Sequence, residues 1–501
     1  MNFRRVVIRV TGCLYLVAFV CFLNAFGQSL VPRFETSDCA VPVPKGETVK
    51  CGYLTVFESR KIKNNRIIRL PIIILKSGSP NPLPDPILRT FGGPGVSSLS
   101  LVESRPASPW LKTRDLIIFE QRGTKYAQPA LECPEVNGSN INSVKKRFAG
   151  KTARKNEIEA AKTCYDRLVK QGINLAAYNS AESAADIEDL RRVLKLDKIN
   201  LWGLSYSSRL MLNVMRDYPN GIRSVVLESS LPPEVNYDEV GVDGIVRALN
   251  QVFKNCRLDV ECAGVYPNLE NEFYETVATL NAKPFSASVK DEKTGETNDI
   301  KLDGNDFVTW IADHLLSDAF AISDIPAVIN QTSKGNYDIF KRYANIKMNA
   351  SDGLGMRYSV WCGEEIPFEN VRKIKAQSST YPKLRGYEVM SLPDICSVWK
   401  VPAAQPIENK SVKSDIPTMI LTAEYDAYTP PAWGGLIAKN LKNSFLFEFP
   451  WVGHGPAFSM PCASEMIAKF FDNPKSSPNS ECLGKIKKDN KFNVKTPKLQ
   501  H

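Results

Sequence analysis

The sequence predicts an α/β fold: a mostly parallel central sheet, interrupted before its last two strands by a mostly helical lobe. Short continuous apolar runs recur along the chain, as expected of strands buried on both faces of a parallel sheet. Helix signals separate these runs, the alternation that builds βαβ units. From about Glu234 to Pro402 the runs almost cease, and they return at 418–421 and 445–449. A chain of 501 residues also exceeds what one hydrophobic core usually supports, which fits a split sheet domain carrying an insertion.

The elements follow in order. Residues 53–57 and 67–75 are β-rich segments on either side of a charged turn around Lys61 to Asn65, and they read as an antiparallel hairpin. A short strand at 87–91 runs into Gly92-Gly93-Pro94-Gly95, and Leu116-Ile117-Ile118-Phe119 is the next buried strand. Ser183 and Asp186 have capping-box spacing, with Ile187, Leu190 and Leu194 at helical intervals behind them. A strand at 199–204 precedes a helix that ends at Pro219-Asn220-Gly221, and Val225-Val226-Leu227 is buried strand again. The expected division is an export signal at 1–27, the first part of the sheet domain at 28–232, the helical lobe at 233–402, and the second part with a basic tail at 403–501.

The first residues have the layout of an export signal. Arg4, Arg5 and Arg9 precede an apolar stretch from Val10 to Phe26, and Ala25 and Gly27 stand in the small-x-small pattern of a cleavage site, so the mature chain should begin near Gln28. The stretch is also just long enough to serve as an uncleaved anchor. No later stretch approaches spanning length. Of twelve cysteines, Cys13 and Cys21 fall in the signal, leaving an even ten, which suits disulfides in an oxidising compartment, secreted or periplasmic. Cys39 with Cys51, Cys256 with Cys262 and Cys462 with Cys482 are the plausible local pairs. No C-x-x-C occurs and no two histidines lie close together, so neither a metal site nor a cofactor is expected. The net charge of +10 is set partly by the signal arginines and the lysine-rich tail, with no basic stripe for nucleic acid.

Strand, then Gly203-Leu204-Ser205-Tyr206-Ser207, then helix is the context of a nucleophile elbow, which lifts a serine hydroxyl above the sheet edge. Histidine is scarce. His501 ends the tail and His314 sits in an apolar helical pattern, whereas His454 lies between glycines on a loop after the final strand, where a general base belongs. The acid should fall between serine and histidine in the chain: Asp426 after the strand at 418–421 is the first candidate, and Glu228 after the preceding strand is the second. Backbone N–H groups of Gly93 and Tyr206 are placed to hold an oxyanion, since glycines allow close backbone approach and a helix N-terminus presents amides.

With these motifs the chain resembles the proline iminopeptidase and tripeptidyl aminopeptidase group of serine peptidases, which have the α/β-hydrolase fold. The resemblance spans roughly Cys39 to Cys482 and rests on Gly92-Gly93-Pro94-Gly95, Glu120-Gln121-Arg122-Gly123-Thr124, the serine elbow, Asp426 with Thr429-Pro430, and Gly453-His454-Gly455. It implies an exported exopeptidase that releases one to three residues from a peptide with a free N-terminus. Cys362-Gly363-Glu364-Glu365 is similar to a segment of the secreted tripeptidyl branch, and this implies substrate-binding carboxylates, Glu364 first and Glu365 second, for the substrate's α-amine. The chain departs from the family's usual pattern at Glu120, Ser207 and Glu228-Ser229. The same triad would also serve a secreted carboxylesterase or lipase, and the same fold a binding protein without catalysis; mixed acidic and aromatic residues in the inserted region favour peptides over a lipid-type lid.

Overall fold

The computed structural model describes residues 31–495 apart from 63–65, 103–108, 146–149, 291–294, 296, 345–352 and 388–391, so the expected signal at 1–27 lies outside the described residues. The strands are β1 (Arg33–Thr36), β2 (Val49–Phe57), β3 (Ile67–Leu75), β4 (Ile87–Thr90), β5 (Leu116–Phe119), β6 (Ile199–Leu204), β7 (Ile222–Glu228), β8 (Phe285–Lys290), β9 (Thr297–Leu302), β10 (Thr418–Ala423) and β11 (Ser444–Phe449). Nine of them form one sheet in the order β1-β2-β3-β5-β4-β6-β7-β10-β11. β1, β2 and β3 are an antiparallel meander, β3 is antiparallel to β5, and the pairs from β5 to β11 are all parallel. This is the mixed, mostly parallel sheet of an α/β-hydrolase.

The parallel strands β4, β5, β6, β7 and β10 are buried on both faces, so their consecutive residues enter different cores. Leu201, Val225 and Ile420 pack on one side with Leu210 and Met211. Their neighbours Trp202, Val226 and Leu421 pack on the other with Phe470 and Phe471. Helix α1 (Ser180–Val193) and helix α2 (Tyr206–Asp217) supply much of the first side.

Strand order reverses between β4 and β6. From β4 the chain moves to β5 on one side, and from β6 to β7 on the other. The carboxyl ends of β4 and β6 therefore open a crevice at the switch point, where open α/β sheets bind their ligands. Gly92-Gly93 leaves one end and Ser205 the other.

Between β7 and β10 the chain leaves the sheet and builds helices, among them α3 (Tyr237–Leu258), α4 (Gly304–His314), α5 (Ala319–Ser333) and α6 (Leu354–Glu364). Three features differ from expectation. The β8–β9 hairpin lies in this helical stretch; Ala287, Val289, Ile300 and Leu302 are its buried positions, a period-2 pattern hidden by serine and lysine on the other face. Strand β1 pairs at the sheet edge, where four residues leave little sequence signal. Helix α1 starts three residues before the expected Ser183: the Asn179 side chain accepts from Glu182 N–H at 2.8 Å, and Ser183 is buried inside the helix. Asn179 and Glu182 repeat the same polar-x-x-acid spacing one turn earlier and win because Asn179 has the extended backbone of a cap.

All ten cysteines outside 1–27 are paired: Cys39–Cys51, Cys133–Cys164, Cys256–Cys262, Cys362–Cys396 and Cys462–Cys482. Five disulfides mark an oxidising, extracellular-type environment. Mass analysis of the alkylated, non-reduced protein is expected to find no free thiol among these ten; several alkylated cysteines would contradict the pairing. No helix among the described residues is long and apolar enough to cross a membrane.

Candidate active site

β6 ends buried at Leu204, and Ser205 follows at φ 59°, ψ −130°, before α2 begins at Tyr206. A left-handed backbone is costly for a residue with a Cβ, and the surroundings hold it. Ser205 N–H donates to Glu228 O at 3.0 Å. A Cβ on Gly92 would lie 2.7 Å from Ser205 Cβ and 2.9 Å from Tyr206 N, so only glycine lets the β4 loop approach the elbow this closely. Ser207, where the family usually has glycine, is buried. Its hydroxyl accepts from Leu204 N–H at 2.8 Å and lies 2.8 Å from the carbonyl oxygens of Thr90 and Leu204, so the elbow gains a tie to β4 without an unsatisfied polar group.

Asp426 is fully buried at the turn after β10. Its Oδ1 accepts from the N–H groups of Tyr428 and Thr429 at 3.0 and 2.8 Å, and its Oδ2 from Thr429 Oγ1 at 2.6 Å. His454 Nδ1 lies 2.8 Å from the same Oδ2 and 3.1 Å from Thr429 Oγ1. That contact places the Nδ1 proton toward the carboxylate and leaves Nε2 as the acceptor. Burial pushes the imidazolium down, but the Asp426 charge and hydrogen bond outweigh it, and His454 stands above its ordinary 6.5. Burial likewise pushes Asp426 up, and the His454 charge and the hydrogen bonds hold it below its ordinary value.

The His454 loop is hung over the elbow. Gly455 N–H donates to Ser229 Oγ at 2.9 Å and Ala457 N–H to Glu228 Oε1 at 2.6 Å, while Glu228 O holds Ser205 N–H. Thus Glu228, the second candidate for the acid, meets the loop's backbone and not the imidazole. Its Oε2 accepts from Trp202 Nε1 at 3.0 Å and lies 3.9 Å from Arg89, whose guanidinium is 3.6 Å over the Trp202 ring.

Gly93 lies at φ 107°, open only to glycine, beside the elbow. Tyr206 N–H belongs to the first turn of α2, where amides have no partner within the helix. The Glu120-Gln121-Arg122 motif braces this loop. Glu120 Oε2 accepts from Ser97 Oγ and Leu99 N–H at 3.0 and 3.1 Å, Gln121 Nε2 donates to Phe91 O at 2.6 Å, and Arg122 makes a bidentate pair with Asp186 of α1 at 2.7 Å. Burial pushes the Glu120 carboxyl up.

Glu364 and Glu365 are both buried at the end of α6. Glu364 accepts from Ser180 N–H at 2.5 Å and Ser180 Oγ at 2.6 Å, at the N-terminus of α1, and Ser180 Oγ lies 2.7 Å from Tyr206 Oη. Burial pushes its carboxyl up. Glu365 is ion-paired with Arg209 of α2. Among the described residues, neither is hydrogen-bonded to Ser205, Asp426 or His454.

Sequence reasoning missed the inserted lobe's part in holding these loops. From α3, Arg247 Nη1 and Nη2 donate to Glu424 O and Asp426 O at 2.8 and 2.7 Å. Gln251 and Asn255 donate to Glu424 Oε1 at 3.0 and 2.8 Å. After α4, Leu316 O accepts from His454 N–H at 3.1 Å and Ser317 O from Gly453 N–H at 2.9 Å. A Cβ on Gly453 would collide with Leu315 O, which gives that glycine its reason. A basic and two amide residues one helical turn apart on α3 are the only signal, and many solvated helices carry the same pattern.

Residues 383–482 match the family described as TAP-like protein. Over 442 residues the chain is 21% identical to the serine protease Hip1 of Mycobacterium tuberculosis, covering 77% of this chain and 78% of that one. Over 213 residues it is 25% identical to the tripeptidyl aminopeptidase of Streptomyces lividans, covering 40% of this chain and 38% of that one. With the sheet and its elbow, these similarities support a serine hydrolase of the α/β-hydrolase fold whose residues 383–482 are TAP-like and which is distantly homologous to tripeptidyl aminopeptidase and to Hip1.

Proposed function

We propose that the chain is an exported serine exopeptidase that releases one to three residues from peptide N-termini through an acyl-enzyme. The observation that carries this is the hydrogen-bonded pair of buried Asp426 and part-buried His454, on a loop tied to Glu228 and Ser229 beside the strained Ser205 elbow at the sheet's switch point. In this reading His454 Nε2 takes the Ser205 hydroxyl proton as Oγ attacks the scissile carbonyl, and Asp426 holds the imidazole in the required tautomer and stabilises its charge. The N–H groups of Gly93 and Tyr206 receive the oxyanion, made from fixed backbone that needs no reorganisation. His454 then protonates the departing amine, and water repeats the sequence in reverse to free the acyl group.

The similarity to a tripeptidyl aminopeptidase supports peptide substrates with free N-termini. Such selectivity needs a carboxylate for the substrate's α-ammonium. Glu364 and Glu365 can serve only by giving up part of their bonding to Ser180 and Arg209. The test is product identification from one peptide supplied free and N-acetylated. The free peptide is expected to yield N-terminal fragments of one to three residues, and the acetylated one very little. Equal cleavage of both, or ester hydrolysis with no peptide cleavage, would overturn the reading.

A further inference from the structure

We propose that Arg89 and Glu228, a buried ion pair at the carboxyl ends of β4 and β7, are the positioning residues that hold the oxyanion loop, the Ser205 elbow and the His454 loop in one mutual arrangement. This rests on the proposed triad of Ser205, His454 and Asp426, and it holds whether the substrate is a peptide or an ester.

Each of the three segments meets the pair through a residue close to its working atoms. The Arg89 guanidinium lies 3.6 Å from the centroid of the Trp202 ring, 4.8 Å from that of Phe91 and 5.6 Å from that of Phe458. Phe91 immediately precedes Gly92-Gly93, Trp202 lies in the strand that leads into the elbow, and Phe458 ends the short helix after His454-Gly455. The Phe91 and Phe458 rings also meet, with centroids 5.7 Å apart, so the oxyanion loop and the base loop touch each other over the guanidinium. Glu228 ties two of the segments again. Its Oε2 accepts from Trp202 Nε1 at 3.0 Å, its carbonyl from Ser205 N–H at 3.0 Å, and its Oε1 from Ala457 N–H at 2.6 Å. Ser229, at φ 45°, adds the bond from Gly455 N–H at 2.9 Å.

Stability does not explain a guanidinium at this place. The register partners of Arg89 are Ile118 on β5 and Trp202 on β6, and every residue of β4 is buried. Burying a charge is costly, and a buried ion pair usually stabilises a fold no better than apolar side chains of the same volume. What the pair adds is fixed geometry. A flat cation packs against rings from three segments at once, and a carboxylate holds the backbone of the base loop by a charge-assisted bond. The pair also acts on the base itself. Burial pushes the His454 imidazolium down, while Asp426, bonded to Nδ1 at 2.8 Å, and after it Glu228 raise it. Glu228 therefore favours the imidazolium that forms when Ser205 gives up its proton, while its carboxylate is bonded to the loop's backbone.

The experiment measures the rate of fluorophosphonate labelling across pH in wild type, Glu228→Gln and Arg89→Lys, per folded molecule as counted by near-ultraviolet circular dichroism. Glu228→Gln keeps the side chain's shape and an acceptor for Ala457 N–H, and removes the charge. It is expected to slow labelling by about ten- to a hundredfold. Its acid limb is expected at lower pH than in wild type, because a charge that raises His454 is gone and the Arg89 cation is left without that counter-charge. Arg89→Lys keeps the charge and loses the flat face that meets three rings. It is expected to slow labelling by a similar factor with the limb unmoved. Labelling within about twofold of wild type in either folded variant would overturn the assignment, and so would an unmoved limb in Glu228→Gln. Loss of the folded protein in both variants would mark the pair as structural alone and overturn it too. Full labelling of Ser205→Ala would overturn the triad instead, however the pair behaves.

Discussion

Replacing Ser205 with alanine is expected to lower turnover of every substrate by about 10⁴- to 10⁶-fold and to abolish fluorophosphonate labelling. The elbow geometry makes the effect this large. Ser205 sits at a backbone conformation that only a tightly held turn imposes, and no neighbouring hydroxyl can replace it: that of Ser207 is committed to the β4 and β6 backbones, and that of Ser208 donates to Ser205 O at 2.6 Å. The fold should survive, because Ser205 is held through its backbone N–H. His454→Ala should behave alike, since the hydroxyl is a weak nucleophile without a base. Full labelling of Ser205→Ala would remove that residue from the role.

Asp426→Asn is expected to lower kcat by about 10⁴-fold with the protein still folded. An amide keeps the shape but offers an N–H or a neutral oxygen where the imidazole needs a carboxylate, so the wrong tautomer is favoured. The pH profile separates this from a structural effect. In wild type the Asp426 charge raises His454, and catalysis needs the neutral ring, so the acid limb of kcat/KM should lie above the ordinary 6.5. Removing the charge lets burial dominate, and the residual activity of Asp426→Asn should show that limb at lower pH. Glu228→Gln should have the smaller effect on kcat, because Glu228 meets the backbone of the His454 loop and not the ring. A larger loss in Glu228→Gln, or an unmoved limb in Asp426→Asn, would reverse the assignment of the acid.

Most of the sheet was legible because a strand buried on both faces has to be apolar throughout: β3, β5 and β6 coincide with apolar runs in the sequence. The elbow and the glycine-flanked histidine were legible for a different reason, since tight backbone approach restricts residue choice at Gly92, Gly203 and Gly453. Features that depend on distant pairing were not. Cys133–Cys164 and Cys362–Cys396 are 31 and 34 residues apart, and spacing does not select them. The β8–β9 hairpin has one polar face, which masked its alternation. Arg247 matters through contacts to residues more than a hundred positions away, and it looks locally like an ordinary helix charge. The acidic pair at Glu364 and Glu365 shows the opposite case: a conspicuous local motif whose partners, Ser180 and Arg209, come from α1 and α2.

The central claim is that the N-terminal part of a peptide is transferred to Ser205. The most direct measurement is to mix the enzyme with an activated ester of a free-amine tripeptide, quench in acid within the first turnover, and map the adduct by tandem mass spectrometry. The expected result is the tripeptidyl acyl group on the proteolytic fragment that contains Ser205. An adduct on any other residue would contradict the account.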